Sequence, residues 1–334
     1  MTKMMKMMLA LVGAMLMLTG AASAEIKPAV VYDMGGKFDK SFNEGVWNGV
    51  KKFTEETGIE VMEFEVTNPT QREQAMQRMA ERGATIVLGV GFAQADAIAK
   101  VAAEYPDVQF SIIDVFWLDA PNLRQYAFKE HEGSYLVGVA AALASKTGKV
   151  GFVGGMDIPL ISKFACGYVG GVKSVNPGAA VFQNMTGTTP SAWNDPAKGA
   201  ELTKSQIDRG ADVVYHAAGG TGVGVIQAAA DAGKLAIGVD SNQNGLAPGS
   251  VLTSMLKRVD VAAYETFMDA KNGNFSSGLR VLGIAEGGVD WALDDNNASL
   301  VSADMKAAVE QARADILSGK VVVHNYESDS NCPY

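Results

Sequence analysis

Three aspartates close apolar runs of one kind: Asp33 after VVY, Asp114 after SII and Asp240 after IGV. Any single strand-end aspartate can simply cap a helix or make a local turn. Recurrence at the same topological place points instead to one shared polar cleft. A carboxylate carries two acceptor oxygens and suits a vicinal diol, because both hydroxyl protons can be directed at one group. Lys257, in SMLKRVD, would supply the cation that an acid-lined, partly dehydrated cleft needs against its own repulsion. Its plainer reading is a surface lysine flanking a helix.

The stretch YDMGGKFDKSFNEG (residues 32–45) follows the first of these aspartates. Gly35 and Gly36 let the chain turn sharply and let a ligand approach the backbone. Ser41 and Glu44 have capping-box spacing, which starts a helix at Phe42. Phe42 then shares a face with Val46, Val50 and Phe53 and could be ordinary core, but Asn43 beside it has no core duty and a first-turn amide is directed at the cleft.

Catalytic and metal chemistry finds little support. His131, His216 and His324 are scattered with no metal-ligand spacing. Neither a G-x-S-x-G elbow nor a Walker loop is present. AAGGTGVG (217–224) invites a dinucleotide reading, but Gly220 and Gly222 would need a glycine where Val225 stands. It reads better as a backbone-rich pocket wall, with Gly219 the contact. Acids spread along the chain fit capture better than hydrolysis, so neither a metal nor a cofactor is expected.

The elements that must position these groups alternate. Apolar β-rich runs (PAVVYDM, EVMEFEV, ATIVLGV, VQFSIIDV, KVGFVGG, AAVFQNM, ADVVYHAA, LAIGVD, SVLTSML) are separated by amphipathic segments that close on Gly or Pro. That order predicts an α/β fold with parallel sheets covered on both faces, where ligands gather beyond the carboxyl ends of the strands. The series restarts near Gly148, and about 310 residues after processing exceed one comfortable core, so two lobes are expected. The start, MTKMMKMMLALVGAMLMLTGAASAE, reads as a secretory signal peptide over 1–24, cleaved after Ala24, with no cysteine nearby to carry a lipid. The whole chain has 28 Lys+Arg against 37 Asp+Glu; without the two leader lysines the balance is −11. Such a surface argues against nucleic acid as a partner. Cys166 and Cys332 could be bridged or free, since sequence alone does not establish their proximity.

GGKFDKSFNEG, FKEHEGSYLVG, AAGGTGVG, GVDSNQ and TSMLKRVDVAAYE, in this order, resemble the basic membrane protein family of substrate-binding proteins for ABC importers, over nearly all of the processed chain. The resemblance implies a type I periplasmic binding protein: two Rossmann-like, doubly wound lobes, a hinge of three crossovers and a ligand between them. The N-terminal lobe would take 25–143 plus about 257–300, and the C-terminal lobe 144–256 plus about 301–334. It implies a purine nucleoside as ligand, an ABC permease as partner and a monomeric, periplasmic protein without catalysis. Phe42 would stack on the base while Asn43 and Asp33 bond its edges. Trp193, in SAWNDPAKG, would close the sandwich, although the family more often has Phe there. Asp114 and Asp240 would hold ribose and Lys257 would donate to sugar oxygens. Two alternatives remain at this point: the same fold on a free sugar or another ring compound, and a nucleoside-hydrolysing enzyme.

Overall fold

A computed structural model of the protein describes residues 26–334. The expected signal peptide lies outside them. The first strand, β1 (Pro28–Tyr32), is buried throughout and leads into α1 (Phe42–Thr57), whose Val46, Val50 and Phe53 face the sheet. Each such side chain contributes roughly 1.5–3 kcal/mol of burial. There follow β2 (Met62–Glu65), α2 (Gln71–Glu81), β3 (Ile86–Gly89), α3 (Ala95–Glu104), β4 (Gln109–Ile113) and β5 (Leu123–Phe128). The series begins again with α4 (Glu130–Ala144), β6 (Lys149–Met156), α5 (Pro159–Val175), β7 (Ala180–Gly187), α6 (Pro196–Asp208), β8 (Val213–Ala217), α7 (Gly222–Asp231), β9 (Leu235–Asp240) and β10 (Val251–Lys257). Last come α8 (Val259–Lys271), β11 (Gly278–Leu282), β12 (Val289–Trp291) and α9 (Ala303–Leu317).

The strands form two six-stranded sheets, β11-β5-β4-β3-β1-β2 and β12-β10-β9-β8-β6-β7. Both are parallel except for β12, which runs antiparallel to β10 with Met255 opposite Trp291. In each sheet the order reverses beside the first strand, the doubly wound topology whose switch point opens at the carboxyl ends. Every one of the nine apolar runs read as a strand is a strand.

The lobe boundaries differ from those expected. Helix α4 packs on α5, β10 and α9, so the chain enters the second lobe between Phe128 and Glu130, ahead of residue 143. It returns between Lys257 and Val259 with α8 against α1, and leaves again between Leu282 and Val289, ahead of residue 300. The long apolar segment EGSYLVGVAAALASKTG thus opens the second lobe.

Cys166 on α5 and Cys332 near the C-terminus are joined by a disulfide, with Cα atoms 5.6 Å apart. The final segment is held across α5, where Tyr334 packs on Gly170 and its hydroxyl accepts from the His324 backbone N–H at 3.0 Å.

Candidate ligand-binding site

The carboxyl ends of the two sheets face each other across a cavity of about 590 Å³, counting the solvent at its mouth. Asp33, Gly91 and Asp114 reach it from the ends of β1, β3 and β4, and Gly219, Asp240 and Lys257 from the ends of β8, β9 and β10. Phe42 and Asn43 enter on the first turn of α1, and Trp193 from the turn before α6. All eight residues singled out in the sequence therefore line one space, largely apolar with a few polar groups converging on it, as small-molecule sites are.

The α1 entry is built otherwise than expected. Helix α1 does start at Phe42, but Ser41 and Glu44 make no capping box. Asp39 accepts the backbone N–H groups of Ser41, Asn43 and Glu44 at 2.8, 3.0 and 3.1 Å. Ser41 Oγ is freed by this and donates across the lobes to Asp240 Oδ2 at 2.6 Å. Ser241 Oγ donates back to the Ser41 carbonyl, and Gln243 Nε2 to that of Lys40. Farther out, Trp193 lies against Gly35, so the two lobes are in contact. The Trp193 ring rests on Gly155, where a Cβ would fall 2.0 Å from its Cζ3; only glycine admits the indole there.

One end of the cavity is ionic. Lys257, 2% exposed, reaches Asp114 at 2.6 Å and Glu130 at 2.9 Å, so it is not the surface lysine of the plainer reading. Glu130 also holds Lys163 at 2.6 Å, and Lys163 holds Glu327 at 2.7 Å. Five alternating charges thus run from the cleft through both the first and second crossovers to the C-terminal segment. Buried charges persist only when paired in this way. The ammonium of Lys257 also lies 5.2 Å from the Phe42 ring centre.

The titration of the acids differs accordingly. Burial would raise Glu130, but Lys163 and Lys257 outweigh it and hold its carboxyl down to about 2. Burial pushes Asp240 up to about 7 against the pull of Lys257 and Ser41, and Asp39 up to about 6. Burial also raises Asp114 despite Lys257, whose own ammonium is held well above its ordinary range by Asp114 and Glu130 in spite of its burial.

The other end is amide and carboxylate. Asp33 Oδ1 accepts from Arg72 Nε and Nη2 at 3.3 and 3.0 Å. Asn43 Nδ2 donates to the carbonyls of Asp33 and Gly36, while its Oδ1 is buried with no partner. Arg72, Asp39, Glu130, Lys163 and Phe164 were not singled out in the sequence. Glu130 stands within one of the quoted motifs, but Arg72 in the first turn of α2 and Lys163 within α5 carry no local sign that they pair with the cleft.

A profile of the Bmp family, described as ABC transporter substrate-binding protein PnrA-like, matches residues 26–325. The ABC transporter nucleoside-binding protein BmpA of Lactococcus lactis subsp. cremoris is 32% identical over 327 residues, covering 91% of each chain. Basic membrane protein A of Borreliella burgdorferi is 32% identical over 313 residues, 91% of this chain and 89% of that one. Among solved structures, a solute-binding protein of an ABC transporter system from Aeropyrum pernix K1 superposes with a TM-score of 0.82 at 28% identity, covering 91% of this chain and 96% of that one. The chain therefore belongs to the Bmp family of ABC transporter substrate-binding proteins and has their type I periplasmic binding fold.

Proposed function

We propose that this substrate-binding protein captures a purine nucleoside and presents it to its permease. The observation that carries the reading is the division of the cavity into a ring-bearing middle and two polar ends of different chemistry. Phe42 borders both: its Cε1 shares the edge of Gly91 with Asp33 Oδ2, and its ring centre lies 5.2 Å from the Lys257 ammonium that pairs with Asp114. Base edges belong at the first end, and the diol of a ribose belongs at the carboxylates of the second. Trp193 of the other lobe covers the base. The name of the Lactococcus relative, a nucleoside-binding protein, supports the same ligand class.

Capture needs no covalent step. Closure about the three crossovers excludes water and strengthens each polar contact. Residues 1–24, read as a secretory signal peptide, would deliver the processed protein to the periplasm, where it meets its permease. The test is native mass spectrometry of the processed protein, followed by identification of whatever denaturation releases. A purine nucleoside is the expected product. A protein that binds ribose tightly in titration and nucleosides not at all would sink the reading in favour of a sugar receptor, and release of hypoxanthine from inosine would make it an enzyme.

A further inference from the structure

We propose that the base end of the cleft selects a purine whose edge carries adjacent N–H donors, a 2-amino-6-oxo edge of the guanine type, and that Arg72 is the positioning residue for this choice. The inference rests on the nucleoside reading above and adds a chemical preference to it.

The polar groups at this end are acceptors. Asn43 is 2% exposed, and its Nδ2 is committed to the carbonyls of Asp33 and Gly36 at 3.3 and 3.2 Å. Turning the amide over would set Oδ1 against two carbonyl oxygens, so the orientation is fixed. What remains for a ligand is Oδ1, which is buried and unpartnered. Asp33 adds a second acceptor. Arg72 from α2 grips Oδ1 with two nitrogens, and both side chains are nearly buried. Burial raises the Asp33 carboxyl above its ordinary value and the guanidinium and the Met34 backbone N–H hold back only part of that rise, but the contact with Arg72 favours the ionised form. An ionised carboxylate has no proton to give. Its Oδ2 and the Phe42 ring both border Gly91: a Cβ there would stand 3.1 Å from Oδ2 and 3.6 Å from Phe42 Cε1.

A base stacked on Phe42 must therefore bring donors to Oδ2 and to Asn43 Oδ1. A guanine edge has N1–H beside its 2-amino group and can serve both. Adenine offers its amino group, but the ring nitrogen next to it is an acceptor and would face an acceptor. A ligand lacking one donor leaves a buried oxygen unpaired, which weakens binding roughly 5- to 150-fold.

The experiment is isothermal titration of the processed protein with guanosine, 1-methylguanosine and adenosine. Guanosine is expected to bind tightest, with the other two weaker by that range. If 1-methylguanosine or adenosine binds as tightly as guanosine, the donor-edge proposal falls while the nucleoside reading stands. If none of the three binds, the nucleoside reading falls and takes the proposal with it. Arg72→Met isolates the positioning role. Without the guanidinium the buried Asp33 takes up a proton more readily and can donate to adenine, so the guanosine-to-adenosine affinity ratio should narrow at least about threefold. A full-strength ratio in a variant that melts like the wild type would remove Arg72 from the choice.

Discussion

Asp114 and Asp240 hold left-handed backbone conformations, φ 66° and 62°, which few residues other than Gly, Asn and Asp adopt without strain. Both turn a buried carboxylate towards the cleft at the end of a strand, and such strain gathers where a ligand is held. Asparagine tolerates the same backbone, so Asp240→Asn removes the charge and little else. Its folded carboxyl titrates near 7, well above the ordinary value, because burial favours the protonated form. The folded state therefore binds the extra proton between about pH 4 and 7, and stability falls as pH rises through that window. Calorimetric melts of the ligand-free protein should show this fall, and Asp240→Asn should flatten it, the difference at pH 7 being on the order of a few kcal/mol. Phe42→Ala should weaken nucleoside binding by about 1–3 kcal/mol in titration calorimetry, the magnitude of a base stacked on an aromatic ring. Unchanged affinity would return Phe42 to core packing beside Val46. These residues were legible because strand-end acids and an aromatic-amide step stand out locally. Arg72 and Lys163 were not, because each is an ordinary helix position until the fold brings it to a distant partner.

At the scale of elements, apolar runs bounded by turns marked nine strands, while three others escaped for separate reasons. β5 (LRQYAF) carries Arg124, which is fully buried only because Asp269 and the Ser276 carbonyl pair it at 2.8 and 2.9 Å. β11 is a largely exposed edge, and β12 has three residues. The capping box misled because Asp39 satisfies the same N–H groups from two residues upstream of Ser41. The crossovers leave no composition signal at all, which is why the expected lobe boundaries ran long. The Cys166–Cys332 bridge spans 166 residues of sequence and fixes the segment that brings Glu327 to Lys163. Replacing Cys332 by Ser should lower stability by roughly 2–5 kcal/mol in denaturant titration. An unchanged midpoint would mean that the ion pair and Tyr334 hold the segment by themselves.

For the whole molecule, the Ser41–Asp240 and Gly35–Trp193 contacts describe lobes brought together. A two-lobe receptor binds in proportion to the fraction of molecules able to close. Small-angle scattering should therefore give a smaller radius of gyration with ligand than without. Equal radii in both states would mean that the empty protein is already shut, and that ligand enters by a local opening.

The three crossovers also fix the order in which the protein can be completed as it emerges from the export machinery. The first sheet lacks its β11 edge until residue 282 has followed, although β1 to β5 are out by residue 128. The second sheet needs β12, and Cys166 must wait for a partner two residues from the end of the chain. Neither lobe is a continuous stretch that could finish before the other begins. Both must stay incomplete together, with unpaired strand edges, until the last sixth of the chain arrives, so a fragment ending at the second crossover would leave both sheets unfinished.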